Sequence, residues 1–207
     1  MGLLDKIKWT FKSKHEKKII GHSLAELKDF FQKKILETTE KQDKYPIFFS
    51  LSTAGVQAIY SRLLISTSEE KIIENIIANR LPRISTTNKP DTTLFQNPEN
   101  LECAILHTSS KEFNSTTIQV ITNSYDLANE LSKLKITPPP PWVAFESYDP
   151  NWWGDNMQGA QGFYNDNYFL PFFIHLSQKE RRDYYKEYSA TQSWIESLER
   201  IIEYQNL

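Results

Sequence analysis

Apolar residues recur at helical spacing in six stretches of the chain. Leu24, Leu27, Phe31 and Ile35, with Phe30 beside them, follow Ser23-Leu24-Ala25-Glu26. That tetrad is a capping box, so a helix is predicted over 23–39. Val56, Ile59, Tyr60, Leu63 and Leu64 predict a second helix over 53–64. Ile72, Ile73, Ile76 and Ile77 form a stripe behind Ser68-Glu69-Glu70, whose acids favour a helix N-terminus, and Leu81-Pro82 ends it. Leu127, Leu131 and Leu134 predict a helix over 125–135. Ser177-Gln178-Lys179-Glu180 is a second capping box, ahead of Tyr184, Tyr185 and Tyr188. Trp194, Ile195, Leu198, Ile201 and Ile202 make the last apolar stripe.

Three stretches read as β-structure. Residues 47–51 form a short extended run after Tyr45-Pro46. Residues 101–107 are a short apolar run, and residues 116–122 are dense in β-branched side chains. The last two predict an antiparallel hairpin whose loop is the polar stretch 108–115. Residues 83–100 are rich in Thr, Asn, Pro and Ser and read as a surface loop. Pro138-Pro139-Pro140-Pro141 favours a polyproline II segment of about 12 Å. The expected fold class is α+β: five to seven helices packed with a small, mainly antiparallel sheet. Residues 1–20 read as a basic amphipathic N-terminal segment. Residues 21–207 read as a single α+β domain, aromatic-rich from 138.

Composition narrows the functional classes. Glycine is scarce, with six in 207 residues, and no Gly-rich phosphate cradle follows a strand. A net charge of −2 gives no reason to expect a nucleic-acid partner. The single Cys103 has no intrachain partner, which fits a reducing compartment. No apolar run approaches the ~18 residues of a membrane span, and the N-terminus lacks a secretory signal. A cytoplasmic location is therefore expected. Leu3, Leu4, Ile7 and Phe11 share one helical face among lysines. Residues 3–18 thus have two readings: a membrane-touching helix, or a helix docked on the core.

Candidate chemistry is thin. No histidine pair has zinc-helix spacing, and one cysteine excludes a Cys-rich metal set, so neither metal nor cofactor is expected. In a strand, Cys103 and His107 would lie about 13 Å apart, too far for a nucleophile–base pair, and both read as buried structural residues. Glu146, Asp149, Asp155 and Asp166 sit among aromatic residues, a composition that also fits a small hydrolase holding a carbohydrate or peptide in an aromatic cleft.

Charge segregation is the more informative signal. Between Ile136 and Gln178 there is no Lys or Arg, and the four acids make this stretch −4. Residues 1–34 carry nine lysines against four acids, or +5. Residues 142–173 hold eleven aromatic side chains. Interfaces concentrate such rings at their centre, and an acidic rim steers a basic partner toward them. The segment from Asp149 to Asn156 has loop composition, so Trp152 and Trp153 have two readings: interface anchors, or plugs folded into the core. Phe169, Phe172 and Phe173 read as core. Candidate partner-binding residues are Tyr148, Asp149, Trp152, Trp153 and Asp155; no catalytic residue is assigned.

In size, scarce glycine, single cysteine, lack of catalytic motifs and acidic aromatic patch, the chain resembles small bacterial cytosolic immunity proteins against secreted antibacterial toxins. The run from Pro138 to Phe145, then Gln158-Gly159 and the aromatic stretch to Leu176, adds to that likeness. The resemblance implies a non-enzymatic protein that binds one toxin domain, a basic one given the acidic patch, and covers or distorts its active site. It carries no functional residue across. Other readings are the small hydrolase and a peripheral-membrane secretion adaptor anchored by residues 3–18.

Overall fold

A computed structural model describes residues 18–32, 44–66, 69–86, 89, 91–154 and 157–205. The predicted helical face of residues 3–18 and the site residue Asp155 fall outside this set, apart from Lys18.

Two antiparallel sheets and seven helices are present among the described residues, so the fold class is α+β. Strands β1 (Lys18–Ile19) and β2 (His22–Ser23) form a small hairpin. Helix α1 (Leu24–Phe30) follows directly, capped reciprocally by Ser23 and Glu26 as predicted. It ends at Phe31, which leaves helical geometry and serves as the C-cap; residues 33–39 of the predicted helix lie outside the described residues.

The main sheet has six strands in the order β3-β4-β8-β7-β6-β5. They are β3 (Phe48–Ser50), β4 (Ile59–Ile65), β5 (Arg83–Thr86), β6 (Thr92–Gln96), β7 (Cys103–Glu112) and β8 (Ser115–Thr122). All neighbours are antiparallel.

Three local expectations are corrected. Residues 59–65 are a strand and not a helix; only a 3₁₀ turn, Ser52–Ala54, precedes it. Both faces of β4 are covered, so Leu63, Leu64 and Ile65 are all buried and the polar alternation that marks a strand is missing. The supposed surface loop 83–100 contains β5 and β6. These strands are rich in Thr, a good strand former, and Phe95 is buried. The hairpin of β7 and β8 is as predicted, but its connection is a two-residue turn, Phe113-Asn114, with φ of 59° and 50°. Such turns normally use Asn-Gly, so Phe-Asn conceals this one.

Strand parity divides most of the core, although Leu64 joins the same cluster as Leu63. Leu63, Phe95, Ala104, Leu106, Ile118 and Val120 join α2 (Glu70–Arg80), through Ile73 and Ile77, and α3 (Tyr125–Ser132), through Leu127 and Leu131. Positions of opposite parity, Cys103, Ile105 and Ile121, pack with Leu27 and Phe31 of the α1 segment and with Val56 and Ala58.

The C-terminal third joins the larger cluster. All four prolines are buried. Residues 138–140 are extended, but Pro141 opens α4 (Pro141–Ala144) at a first-turn position that needs no N–H. The proline carbonyls are satisfied from the side: Tyr184 Oη donates to Pro138 O at 2.9 Å, and Tyr164 Oη donates to Pro139 O. Trp142 Nε1 donates to Tyr188 O at 2.9 Å. Helix α5 runs over 159–173: Gly159–Tyr164, a wide π stretch Asn165–Phe169, then Leu170–Phe173. Pro171 cannot donate a backbone bond and would crowd the preceding turn, and the π stretch opens that turn. Tyr164, Tyr168, Phe169 and Phe173 are fully buried, so Phe169 and Phe173 are core, while Phe172 is half-buried. Helices α6 (Gln178–Glu187), with its predicted capping box, and α7 (Gln192–Gln205) close the chain.

A candidate partner-binding surface

Pro150–Trp152 form a 3₁₀ turn between α4 and α5. Proline and asparagine favour such a turn, and Asp149 caps it: its Oδ1 accepts from Asn151 N at 2.9 Å and from Asn151 Nδ2 at 3.0 Å. The turn is fastened to α7, where Ser197 Oγ donates to Pro150 O at 2.6 Å. Gly154, at φ 102°, lies close to Ile201 of α7; a Cβ there would sit 3.4 Å from the isoleucine Cδ1.

This backbone sends the two adjacent indoles in opposite directions. Trp153 is 4% exposed, with Phe145, Tyr148, Tyr164, Phe169 and Trp194 around it at centroid distances of 5.6–6.2 Å. Its place in the candidate surface is corrected accordingly: it is a core plug, beyond the reach of a partner. Trp152 is 68% exposed. Tyr148 is half-buried, its ring packed on Trp153 and its hydroxyl 3.5 Å from Trp152 O. Asp149 and Glu146 are exposed. The surface therefore keeps Trp152, Tyr148 and Asp149, with Asp149 spending one oxygen on the turn itself.

The other candidates are placed as follows. Cys103 is buried, and its thiol is pushed up to about 11, first by burial and then by the charge of Glu102. Its Sγ donates to Leu101 O at 3.4 Å, so it is a protonated structural group. His107 shares its strand face but is only half-buried, with Nδ1 3.2 Å from Thr92 Oγ1. Asp166 is exposed on α5. Among the described residues no three His, Cys, Asp or Glu side chains group as a metal set, and no helix is long and apolar enough to cross a membrane.

Sequence reasoning missed a second feature. A cleft of about 550 Å³ opens between Arg62 of β4, the tip of the β7–β8 hairpin and the start of α5, lined also by Phe145. Arg62 reads as a helical position within 53–64, so its strand-face partners could not be anticipated. The run Ile59-Tyr60-Ser61-Arg62-Leu63-Leu64-Ile65, dense in β-formers, was the available signal. No protein-family model, curated protein or solved structure matches the chain.

Proposed function

We propose that the chain is a non-enzymatic protein-binding module that neutralises a cognate bacterial toxin by occluding a basic domain of it. The observation that carries this reading is Trp152: an indole held 68% exposed on a turn tied down by Asp149 and Ser197. An aromatic ring carried on a backbone fixed in advance has less freedom to lose on binding, and tryptophan has few rotatable bonds of its own, which suits it to be an anchor. Glu146 and Asp149 stand exposed nearby, and no Lys or Arg occurs between residues 136 and 178. A basic surface would be drawn to this region and registered there.

The wild-type chain and a Trp152→Ala variant serve as baits against proteins of the native host, and the captured partner is then titrated by calorimetry. Trp152→Ala is expected to weaken binding by about 2 kcal/mol or more, roughly thirtyfold, in the range of interface hot spots. It should change folding stability by no more than about 0.5 kcal/mol. Trp153→Ala is the internal control and should cost about 3–5 kcal/mol of stability, because it empties the centre of the ring cluster. Equal capture by both baits, or a destabilised Trp152→Ala, overturns the reading.

A further inference from the structure

The cleft beside Arg62 has the features of a ligand site separate from the Trp152 surface. Arg62 sits midway along β4, opposite Gln119 of β8. Its Nε donates to Tyr60 Oη at 3.1 Å and its Nη2 to Gln119 Oε1 at 3.3 Å, while Tyr60 Oη donates to the same Gln119 oxygen at 2.9 Å. One edge of the guanidinium is thereby fixed. The end-on edge, Nη1 with the second N–H of Nη2, has no acceptor among the described residues, and no carboxylate there lies within ion-pair distance of it. Against the cost of its burial, Tyr60, Tyr168 and Glu112 together favour the charged form of this guanidinium, and guanidinium edges match carboxylates in a planar, two-bonded geometry.

The surroundings add shape and sign. The guanidinium carbon lies 5.1 Å from the centroid of the Phe163 ring. Phe113 and Phe145 continue the apolar wall, and Lys111 and Glu112 also line the cleft. With Arg62 these give a lining charge of +1 (two cations, one anion), which suits a monoanion better than a phosphate dianion. The volume of about 550 Å³ falls within the range of small-molecule sites. The hydroxyl of the fully buried Tyr168 lies within the electrostatic reach of the same guanidinium.

We propose that this cleft binds a small organic monocarboxylate with an aryl or alkyl body. The carboxylate takes the end-on edge of Arg62, and the body lies against Phe113, Phe145 and Phe163.

The probe is 3-phenylpropionate, with octanoate as the alkyl counterpart and 3-phenylpropanamide as the neutral match, added to the full chain and followed by amide chemical shifts. Shifts at Arg62, Phe113 and Phe163 are expected for the acids, with the amide weaker by about tenfold or more, as for loss of a charge-assisted bond. Arg62→Met, which keeps the aliphatic stem, and Phe163→Ala should each weaken the acids by a similar factor. If Arg62→Met fails to fold, Phe163→Ala and the acid–amide ratio decide the matter. Equal binding of acid and amide overturns the proposal. So does the absence of shifts up to about 10 mM acid, a concentration far above useful affinity. Binding of a peptide ending in phenylalanine, without binding of the free acids, also overturns it, in favour of a protein chain end.

Discussion

His22 shows how one residue carries a solvent-linked property. It is buried beside the turn of the β1–β2 hairpin, and its Nε2 has no hydrogen-bond partner among the described residues. Burial first, and then the charge of Lys89, hold its pKa below the usual value, against the opposing pull of Glu26. The unfolded chain therefore takes up this proton at a higher pH than the folded one. Stability is full above the ordinary histidine range near 6.5 and falls as pH drops through it. The urea midpoint should fall between about pH 7.5 and 5.5, and less so in His22→Gln. Equal losses in both proteins would remove His22 as the cause. The neighbouring tryptophans mark the limit of sequence reading at this scale. Composition places both in a loop, but which one turns inward depends on the dihedral angles at Trp153 and on the tie from Ser197, forty-four residues later.

Among the elements, those whose signal is local were legible. Both capping boxes, helix α2 and the β-branched β8 are written in residues a few positions apart and form as expected, although of the expected buried stripe of α2 only Ile73 and Ile77 are buried and Ile72 is exposed. Strand β4 was not legible, because burial on two faces removes its alternation and leaves apolar spacings that a helix would share. Its edge shows a further non-local device. Beyond Ser61, strand β3 no longer pairs with β4. Tyr45 substitutes for a strand there: its hydroxyl donates to Leu64 O at 3.0 Å and accepts from Leu64 N at 2.8 Å. Tyr45→Phe leaves two backbone groups unmet in a buried place and should cost about 1–3 kcal/mol. Chemical denaturation measures this; a neutral substitution would mean that water replaces the hydroxyl.

For the molecule as a whole, one apolar cluster runs from the sheet and helices α2 and α3 into the aromatic C-terminal third. Trp153 and Trp194 belong to the same cluster as Leu63 and Ile118. The described part should therefore unfold in a single step, with tryptophan fluorescence and far-ultraviolet circular dichroism changing together. Separated transitions would split it into two folding units. At this scale the sequence revealed the acidic, aromatic character of the C-terminal third and the fold class. It could not reveal the Arg62 cleft, whose walls come from β4, the β7–β8 tip and α5, brought together only by tertiary packing.

The tract over 138–140 has a consequence for how the chain behaves among its neighbours. Proline nitrogens bear no hydrogen, and the carbonyls of Pro138 and Pro139 are already claimed by tyrosines. A connector of this kind offers an incoming β-strand no backbone donor to zip against. The junction leading into the ring-rich third is thus insulated against the edge-to-edge recruitment that seeds fibrils, although a greasy segment follows it directly.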